Sequence, residues 1–229
     1  MDQQFLYSLA WIMIIAAMLL SFYAQSKIGR VYNQYFQVKN HKGITGKEVA
    51  RQMLDRHGLY DVSIRVIPGY LTDNYDPSSK VMNLSEGVCN GDSISSIGVA
   101  AHETGHAIQH GEEYGLMKLR GAIAPVAVIS SRIVFLIFIA GIVMQMVSLT
   151  KIAVVLYFVI LLFQLVTLPV EYDASRRALV NLEEMGYITQ DEISPVQKVL
   201  GAAILTYLAA TLATLGQFLR LLSISKRER

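Results

Sequence analysis

The chain has a single cysteine, Cys89, among 229 residues, so it can close no disulfide on itself. A structural zinc site built on thiolates is excluded by the same count. No Cys–His signature surrounds Cys89, which reads as a small side chain in or after a strand. Charge is also scarce: Asp, Glu, Lys and Arg make up 17% of the residues, where a soluble domain is usually nearer a quarter. The net charge of +2 leaves no broad basic surface, and nucleic acid is not an expected partner. There is no internal repeat and no low-complexity segment.

Apolar residues are abundant, at 53%, and they are clustered. Residues 5–23, with Trp11 inside, form a first run long enough to cross about 30 Å of hydrocarbon as a helix. The start Met1-Asp2-Gln3-Gln4 is not basic and Ala24-Gln25-Ser26 is a poor cleavage site, so this run reads as a retained anchor. Further spans are expected at 122–149, 152–170 and 199–222, with a tight hairpin near Ser148-Leu149-Thr150-Lys151. Lys27, Arg30, Lys118, Arg120, Arg176, Arg177 and Lys198 flank the spans on one side. Lys151 and the tail Lys226-Arg227-Glu228-Arg229 lie on the other. The larger basic set marks the cytoplasmic side, which is expected to hold the polar domain.

That domain occupies residues 27–120. Thr45 and Glu48 have capping-box spacing for a helix running to about Arg56, ended by His57-Gly58. Val62 to Val66 alternates as a strand, Asp73 to Ser79 is turn-rich, and Lys80 to Leu84 reads as a second strand. A helix follows over about 93–110. The unit is a small α+β domain of helix, strand, strand and helix.

The last helix carries His102-Glu103-Thr104-Gly105-His106. Residues i and i+4 share a helix face, so both imidazoles can reach one ion, and Glu103 stands where an activated water would sit. This is two ligands and a general base of a zinc hydrolase, which still needs a third ligand. His110 does not serve, because it lies about 12 Å along the axis from His102; it is expected as an exposed helix-end residue. Glu171 follows a nineteen-residue, mainly apolar run, a costly place for a carboxylate unless it is solvated or coordinated. Two readings of it stand: a metal ligand, or an interfacial acid paired with Arg176 or Arg177.

The stretch His102 to Gln109 resembles the signature of the YugP-type bacterial membrane-bound neutral zinc metallopeptidases. So do Gly69-Tyr70-Leu71-Thr72-Asp73-Asn74-Tyr75-Asp76-Pro77, Leu84-Ser85-Glu86, Val99-Ala100-Ala101 and Leu168-Pro169-Val170-Glu171 with Ala174-Ser175 and Arg177-Ala178-Leu179. The resemblance covers about 43–222. A more distant similarity is to the HtpX-type membrane proteases, whose third zinc ligand is a Glu on a later helix. Carried over, that ligand is Glu171, at the head of a helix continuing over 171–185. An acid that supports the site in that family falls on Ser175, so its role is not carried over. The family pattern has a His where this chain has Asn74.

The resemblance implies a multi-pass α-helical membrane protein with a small zincin-like (gluzincin) catalytic domain. It implies a zinc metalloendopeptidase with one Zn²⁺ per chain on His102, His106 and Glu171, and Glu103 as catalytic base. Tyr75, Tyr172, Arg132 and Arg176 are candidates for a second oxyanion donor. Arg132 either snorkels or faces the site. The strand Lys80 to Leu84 is a candidate for pairing with an extended substrate. The expected partners are membrane-protein or peptide substrates and the lipid bilayer. A non-catalytic zinc-binding adaptor, an intramembrane protease and a helical transporter are the competing readings. Intact Glu103, the polar character of the 93–110 helix and the scarcity of ionisable groups in the spans weigh against them in turn.

Overall fold

The computed structural model describes residues 3–227; Met1, Asp2 and the tail residues Glu228 and Arg229 lie outside the described residues. Among the described residues, seven helices and three strands follow one another. They are α1 (Gln3–Phe36), α2 (Gly46–Arg56), β1 (Ser63–Ile67), β2 (Asn74–Asp76), β3 (Val81–Ser85), α3 (Glu86–Asn90), α4 (Ile94–Gly111), α5 (Gly115–Val143), α6 (Val147–Glu184) and α7 (Gln190–Arg227). They form two compact units.

The first unit comprises Met1–Ala24, Lys118–Pro169 and Leu205–Arg229. Helices α1, α5, α6 and α7 are each long and apolar enough to cross a membrane. Phe22, Phe135, Leu136 and Val155 are all more than 60% exposed, a surface that water would not tolerate and lipid would. On α1 the buried side is mainly small. Ala10, Ala17 and Ala24 are fully buried on α1. A Cβ on Gly216 would sit 3.0 Å from Ile14 Cγ1 and 3.2 Å from the Ile14 backbone. Small residues let helices approach where no hydrophobic effect drives them together.

The second unit comprises Gln25–Met117 and Val170–Ile204. Its sheet has the order β1-β3-β2, with β1 parallel and β2 antiparallel to β3. Met82 and Leu84 of the central strand are fully buried with Ala50, Leu54, Val88, Ala100 and Ala107. A second core joins Val49, Met53, Ile97 and Ile108 to Ala178, Leu182 and Val196. Thr45 caps α2 in a full capping box with Glu48, as the spacing predicts. Ser93 caps α4 through Ser96 N–H at 3.0 Å. Almost all of α4 is buried, so its polar groups must be paired. Accordingly Ser95 donates to Tyr32 O and Ser96 to Gly87 O.

Several expectations need correction. The first helix does not stop near residue 23, because Val31, Tyr32, Tyr35 and Phe36 carry an apolar stripe onward into both cores of the second unit. A third strand, β2, lies in the stretch expected as turn; three residues are too few to show alternation. β3 is the central strand, paired on both sides, so it offers no edge to a substrate. The α5–α6 turn falls at 144–146 rather than 148–151. Its residues Met144 and Met146 are as apolar as the helices, while Gln145 takes φ 54 and Met146 N–H closes onto Gly141 O. Helix α7 begins nine residues before the expected 199, with Thr189 N–H bonded to the Glu192 carboxylate.

Candidate metal centre

All the candidate ligands belong to the second unit. His102, Glu103 and His106 lie on α4, and Glu171 lies on α6. The two helices meet at Gly105 and Ala174. A Cβ on Gly105 would stand 2.5 Å from the Ala174 carbonyl oxygen, so only glycine permits this approach. His102 and His106 flank that contact along α4. Glu171 lies one turn before Ala174 on α6.

The approach brings His102 Nε2 to 3.3 Å and His106 Nε2 to 3.4 Å from Glu171 Oε2. The three ligand atoms lie within 4.8 Å of one another, and the imidazole rings meet edge to face at 81°. With ligand bonds of zinc length, neighbouring donors of a tetrahedral site stand about 3.3–3.4 Å apart, so the two imidazole–carboxylate spacings match that ion. The hydrogen bonds agree. Gln109 donates its amide to Val170 O (2.8 Å) and Asp173 Oδ2 (2.9 Å), which turns its acceptor Oε1 toward His106 Nδ1 (3.0 Å). Nδ1 therefore carries the proton and Nε2 presents a lone pair to the Glu171 carboxylate. Two acceptors so close need a cation or a second proton between them. The donor set, two imidazole nitrogens and a carboxylate oxygen, suits zinc.

Glu103 is buried beside this cluster and accepts a hydrogen bond from Tyr75 N–H at 2.9 Å. Burial pushes its carboxyl up to about 7. The Glu171 and Asp73 carboxylates add to the rise, and His102 and the Tyr75 amide oppose it. A bound dication would draw the value down again. Asp73 fixes β2 against β3 by accepting from Ser85 N–H (2.6 Å) and Oγ–H (3.2 Å). Burial raises its carboxyl.

His110 is not the exposed helix-end residue expected. It is half-buried, with Nδ1 2.8 Å from the Tyr75 hydroxyl. Tyr172 and Arg176 are exposed on α6, and Arg132 is exposed on α5 in the first unit. Arg177 pairs with Asp173 and Glu112, each at 2.6 Å. Ser175, set aside on sequence, places its hydroxyl 3.1 Å from His102 Nδ1. Gln109, Asp173 and Asp73 were missed as well. Their signal was positional: Gln109 is i+3 from His106, and Ser175 is i+4 from Glu171.

A family model described as "Putative neutral zinc metallopeptidase" matches residues 10–226. The chain is 45% identical over 210 residues to "Putative membrane protease YugP" of Bacillus subtilis (strain 168), covering 92% of this chain and 93% of that protein. No solved structure matches significantly. With nearly its whole length matched, helices of the first unit and the α4–α6 site alike, the chain belongs to this family of neutral zinc metallopeptidases.

Proposed function

We propose that this chain is a membrane-embedded zinc metalloendopeptidase that cuts peptide bonds of membrane or membrane-proximal proteins. The observation that carries the reading is the convergence of His102, His106 and Glu171 with buried Glu103 beside them. His102 Nε2, His106 Nε2 and Glu171 would hold one Zn²⁺ per chain, in a zincin-like (gluzincin) domain placed on the cytoplasmic side. When bound, the ion supplies Lewis acidity, lowering the pKa of a water and polarising the peptide carbonyl.

The rest of the chemistry belongs to the chain's own groups. Glu103 takes a proton from the attacking water and delivers it to the leaving amine nitrogen. Its hydrogen bond from Tyr75 N–H leaves the other carboxylate oxygen for that transfer. His102 and His106 are held at Nδ1 by Ser175 and Gln109, which keeps both Nε2 atoms aimed inward. Four spans tie the domain to the bilayer, which favours substrates presented at its surface.

The test compares wild type with Glu103→Gln in detergent and in vesicles. Both should retain about one zinc per chain, with peptide-bond cleavage only in wild type. Equal cleavage by the two would remove Glu103 from the mechanism. Cleavage of soluble casein with no cleavage of membrane-tethered reporters would overturn the substrate class.

A further inference from the structure

Beyond the three ligands and the base, the second unit holds a polar chain at the same crossing. Gln109 is fully buried, and its amide makes three hydrogen bonds (2.8–3.0 Å), with His106 Nδ1, the Val170 carbonyl and Asp173 Oδ2. Asp173 is in turn held by Arg177 Nε at 2.6 Å, and Arg177 Nη1 reaches Glu112 at the C-terminus of α4, also at 2.6 Å. The chain thus leaves α4 at Gln109, crosses to α6 at Val170, Asp173 and Arg177, and returns to α4 at Glu112.

We infer that Gln109 and Asp173 are positioning residues that set the tautomer of His106 and hold the Glu171 helix in register with it. The Gln109 nitrogen has two acceptors before it, so a flipped amide would set its oxygen against both. The unflipped amide leaves an oxygen, which can only accept, toward His106 Nδ1. Ser175 imposes no such choice on His102, because a hydroxyl both donates and accepts. Of the two histidine contacts, the Gln109 one alone fixes where the proton sits. Val170 is next to Glu171, so the same amide that orients one ligand also locates the backbone that carries another. The inference rests on the metal reading of the site given above.

The test is zinc affinity of the full-length protein by chelator competition, with the absorption spectrum of the Co²⁺-substituted protein and the melting temperature recorded alongside. Gln109→Leu should weaken zinc binding by about 10–100-fold and alter the Co²⁺ spectrum. Gln109→Glu keeps an acceptor for His106 but turns a carboxylate toward Val170 O and Asp173, so it should also weaken binding. Adding Asp173→Asn to Gln109→Glu supplies an N–H where repulsion stood, and should recover about tenfold or more. Affinity within twofold of wild type in Gln109→Leu, or no recovery in the double variant, overturns the inference while leaving the metal site standing. A wild-type chain that binds no zinc overturns the metal reading itself.

Discussion

Replacing Gly105 by alanine tests whether the site depends on close contact between two helices. Alanine favours helix by about 1 kcal/mol over glycine, so on local grounds α4 should gain stability. The tertiary structure predicts the reverse. The new Cβ would lie 2.5 Å from the Ala174 carbonyl oxygen and 3.1 Å from its carbonyl carbon, both backbone atoms. Relief requires α4 and α6 to separate by about 0.5–0.9 Å to reach tolerable contact. The ligand gaps, now 3.3 and 3.4 Å, would open to about 3.8–4.3 Å, while a zinc site tolerates about 0.2 Å in each bond. We therefore expect zinc affinity to fall by more than about 100-fold, since even changes behind the ligands cost 10–100-fold. Overpacking should cost a further ~1–3 kcal/mol of stability. Chelator competition reads the first and thermal unfolding in detergent reads the second. A Gly105→Ala protein that melts higher and binds zinc as wild type does would refute the close-approach argument.

Other outcomes follow from the same structure. Glu171→Ala should lose tight zinc binding while the apo protein stays folded, as metal analysis after gel filtration would show; full affinity would remove Glu171 from the ligand set. Asp73 has its carboxyl raised by burial. Its contribution is thus present below the unfolded pKa and lost as pH rises through the folded one. Unfolding curves should show wild type losing stability relative to Asp73→Asn as pH climbs through the carboxylate range. Thr45→Ala removes the capping box of α2 and should cost about 1 kcal/mol, read by denaturant titration, with little change in zinc affinity.

The sequence by itself determined the features with short periods and short spacings. The four apolar helices, the capping box at Thr45 and Glu48, and the two histidines on one face of α4 all depend on neighbours within a few residues. Helix ends were less legible. Met144 and Met146 hide the α5–α6 turn inside apolar sequence, and the stripe from Val31 to Phe36 carries α1 past its hydropathic end. Only the tertiary structure decided what meets α4. Gly105 reads as a poor helix former until Ala174 is seen against it. Gln109 reads as an ordinary polar residue until Val170 and Asp173 take its amide. Glu171, open between ligand and interfacial acid on its local sequence and named a ligand only through the family resemblance, is brought within 3.4 Å of both imidazoles by that helix crossing. A period along one chain reveals which face of a helix is apolar. It carries no information about which distant residue that face will touch, because the contact is chosen by packing across sixty or more residues rather than by local propensity.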